Sequence, residues 1–374
     1  MLSANVVDGI TPGVLWYNAL VPWRKWEWQL LSQWSMKRNT PIGVAQLVRH
    51  WSWPTGMWQQ LSLSGSVRTY HFRADDQLQY VLRYARYGLQ LRARFRTHPQ
   101  SLFVHRATAT FWRLSEQAPT LDSTGAYMGK QWQRRPLWRV EWYTQRATLN
   151  SWSVEVGLEG SRLRYLGAEH RYGRMWAAMQ YSYTYAPWRS IDLRFFIGGF
   201  FKNTAAGGGF LLPGAWNLSV QGFNDYGYEQ LFVGRWQVQG IWSRQIALTE
   251  GAMKTALGPA YLQGRSNGLL WSLNLVAALP KDLPAGIVLK PWFDVGYYQR
   301  VGLFASDAWR DNLWWQGGVS LFDATLKVYL PLINAPRLEA LYDQDGRQAL
   351  WARISWALSL QHHDPWYARY RVLF

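Results

Sequence analysis

The residues that could do chemistry in this chain are few, and their spacing does not suit catalysis. The sequence contains seven histidines and no cysteine, which excludes a cysteine nucleophile and a thiolate metal site. No two histidines have the H-E-x-x-H spacing that brings two zinc ligands to one face of a helix. Gly207-Gly208-Gly209 lacks the Gly-Lys-Ser/Thr ending of a phosphate-binding loop. We therefore predict no enzyme, no metal site and no cofactor.

Paired carboxylates are the remaining catalytic candidates. Glu155 and Glu159 fall on the same face of a predicted strand, as the two acids of a glycosidase could. Carboxylates on a polar interior face commonly pair with arginine across strands. We interpret these two glutamates as structural partners of basic residues.

The most specific polar feature is a basic row in residues 85 to 96. Successive residues of a strand point to opposite faces, so this segment has one apolar and one basic face. The apolar face, predicted to meet lipid, includes Tyr87, Leu89, Leu91 and Phe95, and the basic face, predicted to line a lumen, carries Arg86, Arg92, Arg94 and Arg96. The basic row could attract anions or receive an acidic plug, or it could pair with Glu141, Glu155 or Glu159. We favour the cross-strand pairs.

The same two-residue rhythm recurs along the chain and indicates amphipathic strands. Clear runs include residues 25–30, 138–143, 152–159, 174–185 and 350–360, bounded by Pro, Gly, Asn and Asp turn signals. The strands predicted from such runs and their flanking residues are about 9 to 13 residues long, the length of a tilted membrane-spanning β-strand. Irregular stretches at 114–126, 203–227 and 247–265 are predicted to be extended loops, and no long helix is predicted.

Together these elements predict an all-β fold, a single closed antiparallel transmembrane β-barrel of about 14 to 16 strands. We expect the barrel to occupy residues 1–360, with a closing strand at 347–360 and a C-terminal tail at 361–374. A closed barrel leaves no unpaired sheet edge in the hydrocarbon. A soluble β-sandwich, whose strands also alternate, is the alternative.

The amino-acid composition favours a membrane protein. Aromatic residues make up 17% of the chain, including 26 Trp, and charged residues also make up only 17%. Typical soluble domains carry about 25% charged residues, whereas Trp and Tyr concentrate at bilayer interfaces. The net charge of +17 could meet nucleic acid, lipid phosphate or a polar lumen. No nucleic-acid fold signature accompanies the charge, so we predict no nucleic-acid partner.

Several segments, in order, resemble one family. The segments are Val7-Asp8-Gly9, residues 22–28, residues 61–65 with 70–72, residues 193–201, residues 224–229 with Gly234-Arg235, and residues 274–280 with 290–296. They resemble the C-terminal barrels of Bacteroidota-type proteins in which the barrel follows a gluzincin aminopeptidase-like (peptidase family M1-like) domain. More broadly, they resemble outer-membrane barrels of the surface-antigen type. The motif positions are Arg194, Asp225, Tyr226, Gly234, Arg235, Pro291, Asp294 and Gly296.

The resemblance implies an outer-membrane barrel whose partner is a periplasmic or surface peptidase-like domain. That domain is not found in these residues, so no zinc ligands are carried over. The leading hypothesis is a membrane anchor or scaffold that contacts outer-membrane lipid and a partner protein. An anion-preferring transport or secretion pore is the second hypothesis. A soluble glycan-binding β-protein is the third.

Overall fold

A computed structural model describes residues 2–18, 24–75, 77–98, 100–122, 127–165, 168–187, 189–205, 211–237, 239–256, 263–279, 289–300, 309–322 and 325–358. Within these residues, sixteen strands form one sheet in which each strand pairs with its neighbours in chain order. Every pairing in the sheet is antiparallel. The predicted all-β class and the strand number are confirmed.

The first eleven strands of the sheet are β1 (Leu2–Asn5), β2 (Gly9–Tyr17), β3 (Trp26–Ser35), β4 (Thr40–Ser52), β5 (Trp58–Asp75), β6 (Tyr80–Phe95), β7 (Phe103–Leu121), β8 (Tyr127–Arg146), β9 (Trp152–Tyr165), β10 (Ala168–Ala186) and β11 (Arg189–Asn203). Four two-residue strands follow outside the sheet: β12 (Trp216–Asn217), β13 (Val220–Gln221), β14 (Ile246–Ala247) and β15 (Arg265–Ser266). The sheet then continues with β16 (Leu270–Ala277), β17 (Leu289–Tyr298), β18 (Leu313–Leu321), β19 (Leu326–Asn334) and β20 (Ser355–Leu358). The α-helix found in the described residues is α1 (Pro336–Gln344).

Two local predictions are wrong. The predicted loop at 114–126 is wrong for residues 114–121, which belong to β7, and β8 begins at Tyr127. The closing strand does not begin at 347, because residues 350–353 form a 3₁₀ turn and β20 starts at Ser355. Residues 359–374, with the predicted tail, lie outside the described residues. Among the described residues, no helix is long and apolar enough to cross a membrane.

Alternation of burial gives the sheet an apolar outer face and a polar inner face. In β3, the outward Trp26, Trp28 and Leu30 are exposed, whereas the inward Glu27 and Gln33 are buried. The outer face of β7 carries Phe103 and Phe111, eight residues apart. At about 3.4 Å per residue and a tilt near 40°, that separation is on the order of 20 Å, close to the apolar band of a membrane barrel. We call this outer surface the apolar band.

The two longest connections of the sheet lie at the same end of the strands. At one end, here the turn end, β4 and β5 are joined by residues 53–57 and β8 and β9 by residues 147–151. At the other end, the insert end, residues 204–269 join β11 to β16 and residues 335–354 join β19 to β20. We call residues 204–269 the insert.

The described part of the insert, residues 204–205, 211–237, 239–256 and 263–269, packs against the inner face of the sheet and contacts the chain beside β1 and β20. The N–H of Val6, just after β1, donates to the carbonyl of Val233 at 2.9 Å. Gln245 forms an isolated parallel bridge with Trp356 of β20, and the Trp356 indole donates to the carbonyl of Ile241 at 2.8 Å. Within the described residues, no ladder joins β1 directly to β20. The insert therefore bridges the seam between the first and last strands.

Candidate functional site: the insert and the inner face of the sheet

Three inward arginines hold three consecutive carbonyls of the insert. Arg135 of β8 donates to the carbonyl of Tyr226 at 2.6 Å. Arg86 of β6 donates to the carbonyl of Gly227 at 2.9 Å, and Arg68 of β5 donates to the carbonyl of Tyr228 at 3.1 Å. Arg68 and Arg86 stand directly opposite each other in the ladder, an arrangement of like charges that is unfavourable unless acceptors lie between them. The carbonyls of residues 227 and 228 supply those acceptors.

A buried ion network attaches the same segment to β8, β9 and β10. Arg139 donates to the Glu229 carboxylate of the insert with both terminal nitrogens, at 2.8 and 2.7 Å. Arg139 also donates to Glu159, which accepts from Arg174 at 2.8 Å. Arg174 in turn contacts Glu250 of the insert at 3.2 Å. A buried charge is tolerated only when it is paired, so this network fixes the insert in one position.

Aromatic packing completes the attachment near β5 and β6. The ring of Tyr228 stacks on Tyr84 with centroids 3.8 Å apart and meets the edge of Phe72 at 5.6 Å. Leu114 of β7 belongs to the same buried cluster. The insert therefore presents an apolar side chain to the wall as well as its carbonyls and carboxylates.

The insert also has internal contacts that give residues 222–235 their shape. Arg235 forms an ion pair with Asp225 at 3.0 Å and donates to the carbonyls of Gly222 and Gln230 at 3.2 and 2.7 Å. The Asp225 carboxylate also accepts the backbone N–H groups of Glu229 and Gln230. The loop that carries Tyr226 and Glu229 to the wall is thus folded around one Arg–Asp pair.

A second attachment point lies on β17. Asp294 accepts the backbone N–H of Lys254 at 2.9 Å and its ammonium at 2.5 Å, with both side chains buried. At Gly296 a Cβ atom would lie 2.6 Å from Leu218 of the insert. The absence of a side chain at this position allows the insert to approach the strand closely.

The lumen on the turn-end side of the insert holds a polar cavity of about 870 Å³. One wall carries Arg92 and Arg94 of β6 together with Arg106 of β7. Arg94 and Arg106 stand directly opposite each other across the ladder. Glu141 and Glu155, on β8 and β9, line the adjacent wall. The insert forms the end of this cavity.

The predicted site residues fall into several places. Tyr87, Leu89 and Leu91 lie on the exposed outer face, and Phe95 is half-buried beside Trp58. Arg86 contacts the insert, whereas Arg92 and Arg94 line the cavity. Arg96 lies beyond the end of β6 and donates to the carbonyls of Gly56 and Trp53 at the turn end.

The motif positions gather around the insert. Four of them belong to the insert: Asp225, Tyr226, Gly234 and Arg235. Two more, Asp294 and Gly296 of β17, lie against it. Arg194 of β11 donates to Asn274 at 3.4 Å, and Pro291 is half-buried on β17. Sequence reasoning did not single out Arg68, Arg135, Arg139 or Arg174. Their inward register was the available signal, but nothing in the sequence showed that a segment 50 or more residues away would face them.

Burial and charge shift the pKa values of the insert's ionisable groups in different directions. Burial by itself would raise the pKa of Glu229, but the charge and hydrogen bonds of Arg139 lower it below its usual value. Burial raises the pKa of Glu250 despite the opposing effect of Arg174. Burial lowers the pKa of Lys254, and Asp294 opposes this shift. Within the described residues, no group of three or more His, Cys, Asp or Glu could hold a metal ion.

Comparison with known proteins adds structural neighbours. No protein-family model and no curated protein matches this chain. A structure of CdiB from Acinetobacter baumannii aligns with a TM-score of 0.40 and 10% identity, covering 90% of this chain and 55% of that one. A crystal structure of BamA from Haemophilus ducreyi lacking POTRA domains 1-3 aligns with a TM-score of 0.43 and 10% identity, covering 90% of this chain and 66% of that one. This chain thus spans less than two thirds of either neighbour, and its fold assignment rests on the sheet described above.

Proposed function

We propose that this chain is an outer-membrane β-barrel that serves as a membrane anchor or scaffold, with its lumen closed by its own insert. The observation that carries the proposal is the combination of an apolar outer face with an inner face bonded to the insert. A soluble protein rarely exposes a contiguous apolar surface of this extent. A pore needs a continuous aqueous path, and the bonds between the insert and the inner wall support a closed lumen.

The two longest connections, residues 204–269 and 335–354, support an orientation because they lie at the same end of the strands. Barrels of this class have short periplasmic turns and longer extracellular loops. The insert end, with residues 204–269, is therefore proposed to face the exterior. Because the number of strands is even, the start of β1 and the end of β20 then both lie on the periplasmic side.

The partner is the finer part of the proposal. The resemblance to barrels that follow a gluzincin aminopeptidase-like domain makes a periplasmic or surface peptidase-like protein our candidate. Purification from native membranes in mild detergent tests for this partner, because a scaffold should co-purify with a second protein in a stoichiometric amount. Recovery of the barrel alone after chemical crosslinking in the membrane would contradict the scaffold role.

Conductance in planar bilayers tests the closed lumen. We expect the wild-type barrel to be silent at high salt, and a variant that releases the insert, Arg139→Ala with Arg174→Ala, to conduct. Heat-dependent gel migration, typical of folded barrels, controls for correct insertion of both proteins. A conducting wild-type barrel would favour the second candidate, an anion-preferring transport or secretion pore. The basic cavity wall of Arg92, Arg94 and Arg106 is the observation that favours that candidate.

A soluble glycan-binding protein is the third candidate. It requires the exposed Trp residues of β3 and β8 to bind sugar in water rather than to contact lipid. Sedimentation without detergent distinguishes a soluble glycan-binding protein from a membrane barrel, because the membrane proposal expects aggregation once detergent is removed.

A further inference from the structure

Three inward side chains on β3, β4 and β5 form a chain of contacts that ends at the cavity. The hydroxyl oxygen of Ser62 lies 2.8 Å from Nδ1 of His50, and these two residues stand directly opposite each other in the ladder. Nε2 of the same imidazole lies 3.5 Å from the carboxylate of Glu27. A hydroxyl, an imidazole and a carboxylate in this order can act as a nucleophile, its base and the group that orients the base. We call Ser62, His50 and Glu27 the Ser62 triad.

The side chain of Gln60 determines which ring nitrogen of His50 carries the proton. Its amide nitrogen lies 3.3 Å from Nδ1, and an amide nitrogen can only donate a hydrogen bond. Nδ1 is therefore an acceptor, and the hydroxyl of Ser62 donates to it. The neutral ring then carries its proton on Nε2, which faces Glu27. In this tautomer, His50 can take a proton from Ser62.

The Ser62 triad runs from the cavity into the wall of the sheet. Ser62 lines the cavity, whereas His50 is buried beside it and Glu27 is buried more completely still. A substrate has to meet the nucleophile, while the base and its orienting group can stay behind it. The contact between His50 and Glu27 is at the outer limit of hydrogen-bond distance, and such contacts commonly tighten when a substrate binds.

A positive charge stands on the other side of the nucleophile. Arg92 of β6 is directly opposite Ser62 in the ladder, and both residues line the cavity. Residues opposite each other in an antiparallel pair have Cβ atoms about 4.5 to 5.5 Å apart. Attack on a carbonyl group places negative charge on its oxygen, which a fixed positive charge nearby stabilises. The base and the positive charge therefore flank Ser62 from two neighbouring strands.

We propose that the Ser62 triad is a hydrolase site for carboxylic esters, with Ser62 as nucleophile, His50 as base and Glu27 as positioning residue. Oγ of Ser62 bonds to the carbonyl carbon of the ester while its proton passes to Nδ1 of His50. The bond from that carbon to the alcohol oxygen breaks, and the alcohol leaves with the proton. Water then adds to the acyl carbon and gives a proton to Nδ1, which returns it to Ser62 as the acyl bond to Oγ breaks. The products are one alcohol and one carboxylic acid.

Local sequence patterns do not reveal this site. The prediction of no enzyme rested on motifs within single segments, whereas the Ser62 triad comes from three strands. Ser62 and His50 are 12 positions apart and meet because the register of β4 and β5 brings them opposite each other. The proposed activity goes beyond the scaffold role and does not depend on it.

Labelling of the full chain, folded in detergent, with a fluorophosphonate probe tests the nucleophile. We expect wild-type protein to be labelled at Ser62, located by peptide mass spectrometry, and Ser62→Ala to lose the label. His50→Gln should lower the labelling rate on the order of a hundredfold or more. The matched control is Ser64→Ala, because Ser64 is the next inward residue of β5 but stands opposite Val48, and it should label as the wild type does. Heat-dependent gel migration checks that each variant is folded.

A single thiol tests the base independently of that probe. The chain contains no cysteine, so Ser62→Cys supplies one thiol at the nucleophile and Ser64→Cys supplies one at the next inward position. A base bonded to a thiol increases its thiolate fraction. Ser62→Cys should therefore react with iodoacetamide at neutral pH on the order of tenfold faster than Ser64→Cys. Adding His50→Gln should remove the difference.

Hydrolysis of p-nitrophenyl acetate tests the positioning role of Glu27. Glu27→Gln should lower kcat on the order of tenfold or more and leave KM nearly unchanged, because the carboxylate orients the base without touching the ester. Glu27→Asp, which keeps the charge, should recover part of kcat. A merely structural role for Glu27 would instead lower the unfolding midpoint without this selective loss of kcat.

Three outcomes would overturn the inference. The label could be absent from folded wild-type protein or persist in Ser62→Ala. The thiols of Ser62→Cys and Ser64→Cys could react at the same rate. Hydrolysis of p-nitrophenyl acetate could continue unchanged in Ser62→Ala. Each of these results would refute the hydrolase site and leave the scaffold role, which co-purification tests, unaffected.

Discussion

The two halves of the lumen carry the same inward basic rhythm but use it differently. On the insert side, Arg68, Arg86 and Arg135 donate to consecutive carbonyls of the insert. On the turn-end side, Arg94 and Arg106 stand opposite each other beside a cavity of about 870 Å³. Arginine by itself therefore does not determine the role. Its height along the strand decides whether it bonds to the insert, as Arg86 does, or stands beside the cavity, as Arg94 does, while Arg139 and Arg174 at the boundary do both.

The largest expected difference between the halves is in stability. Arg174→Ala should lower the free energy of unfolding by about 3 to 5 kcal/mol, because it leaves the buried carboxylates of Glu159 and Glu250 with fewer partners. Arg94→Ala, the matched change beside the cavity, should cost less than about 1 kcal/mol. Urea unfolding in detergent, followed by gel migration, measures both. Equal losses would contradict the distinction between the two halves.

A smaller effect is expected from crowding the insert. Gly296→Val should cost about 1 to 3 kcal/mol, because its side chain would overlap Leu218 and push the insert from β17. Gly65→Val is the matched control, since a Cβ atom there meets nothing within 4 Å. The same unfolding assay, with limited proteolysis of the insert, provides the measurement. Unchanged protease resistance in Gly296→Val would show that the insert does not depend on this close approach.

Acid should weaken the insert side through Glu229. Its pKa is lowered in the folded protein, so the stability it contributes is present above the usual carboxyl value of 4.5 and is lost as pH falls through the lowered value. Wild-type protein should therefore lose more stability than Glu229→Gln when pH falls below 4.5. Thermal unfolding at a series of pH values checks the prediction. Parallel pH profiles for the two proteins would show that Glu229 does not cause the loss of stability in acid.

The smallest effect on stability is expected beside the cavity. Changing Arg92, Arg94 and Arg106 to Gln should alter the free energy of unfolding by less than about 1 kcal/mol. The reason is that the three side chains line a cavity large enough to hold water. In the variant that releases the insert, Arg139→Ala with Arg174→Ala, the same three changes should shift ion selectivity away from anions. Reversal potentials in a salt gradient measure the shift. Selectivity that stays unchanged would show that the basic wall does not control passage through the lumen.

The sequence determined the two faces of the strands and the architecture they build. Alternation from residue 85 to 95 is sufficient to separate Tyr87, Leu89 and Leu91 from Arg86, Arg92 and Arg94, because side-chain direction in a strand has a period of two. The number of such segments gave the strand count. Local signals failed where a polar run could be either loop or strand, as in residues 114–121, and where alternation continued into a 3₁₀ turn at residues 350–353.

The tertiary structure decided what the inner face is for. Arg139 meets Glu229 across 90 positions of chain, and Arg68 meets the carbonyl of Tyr228 across 160. No local pattern encodes such contacts, because inward polarity requires only some polar partner, whether water, an ion or another segment. The folded chain supplies that partner from the insert on one side of the lumen.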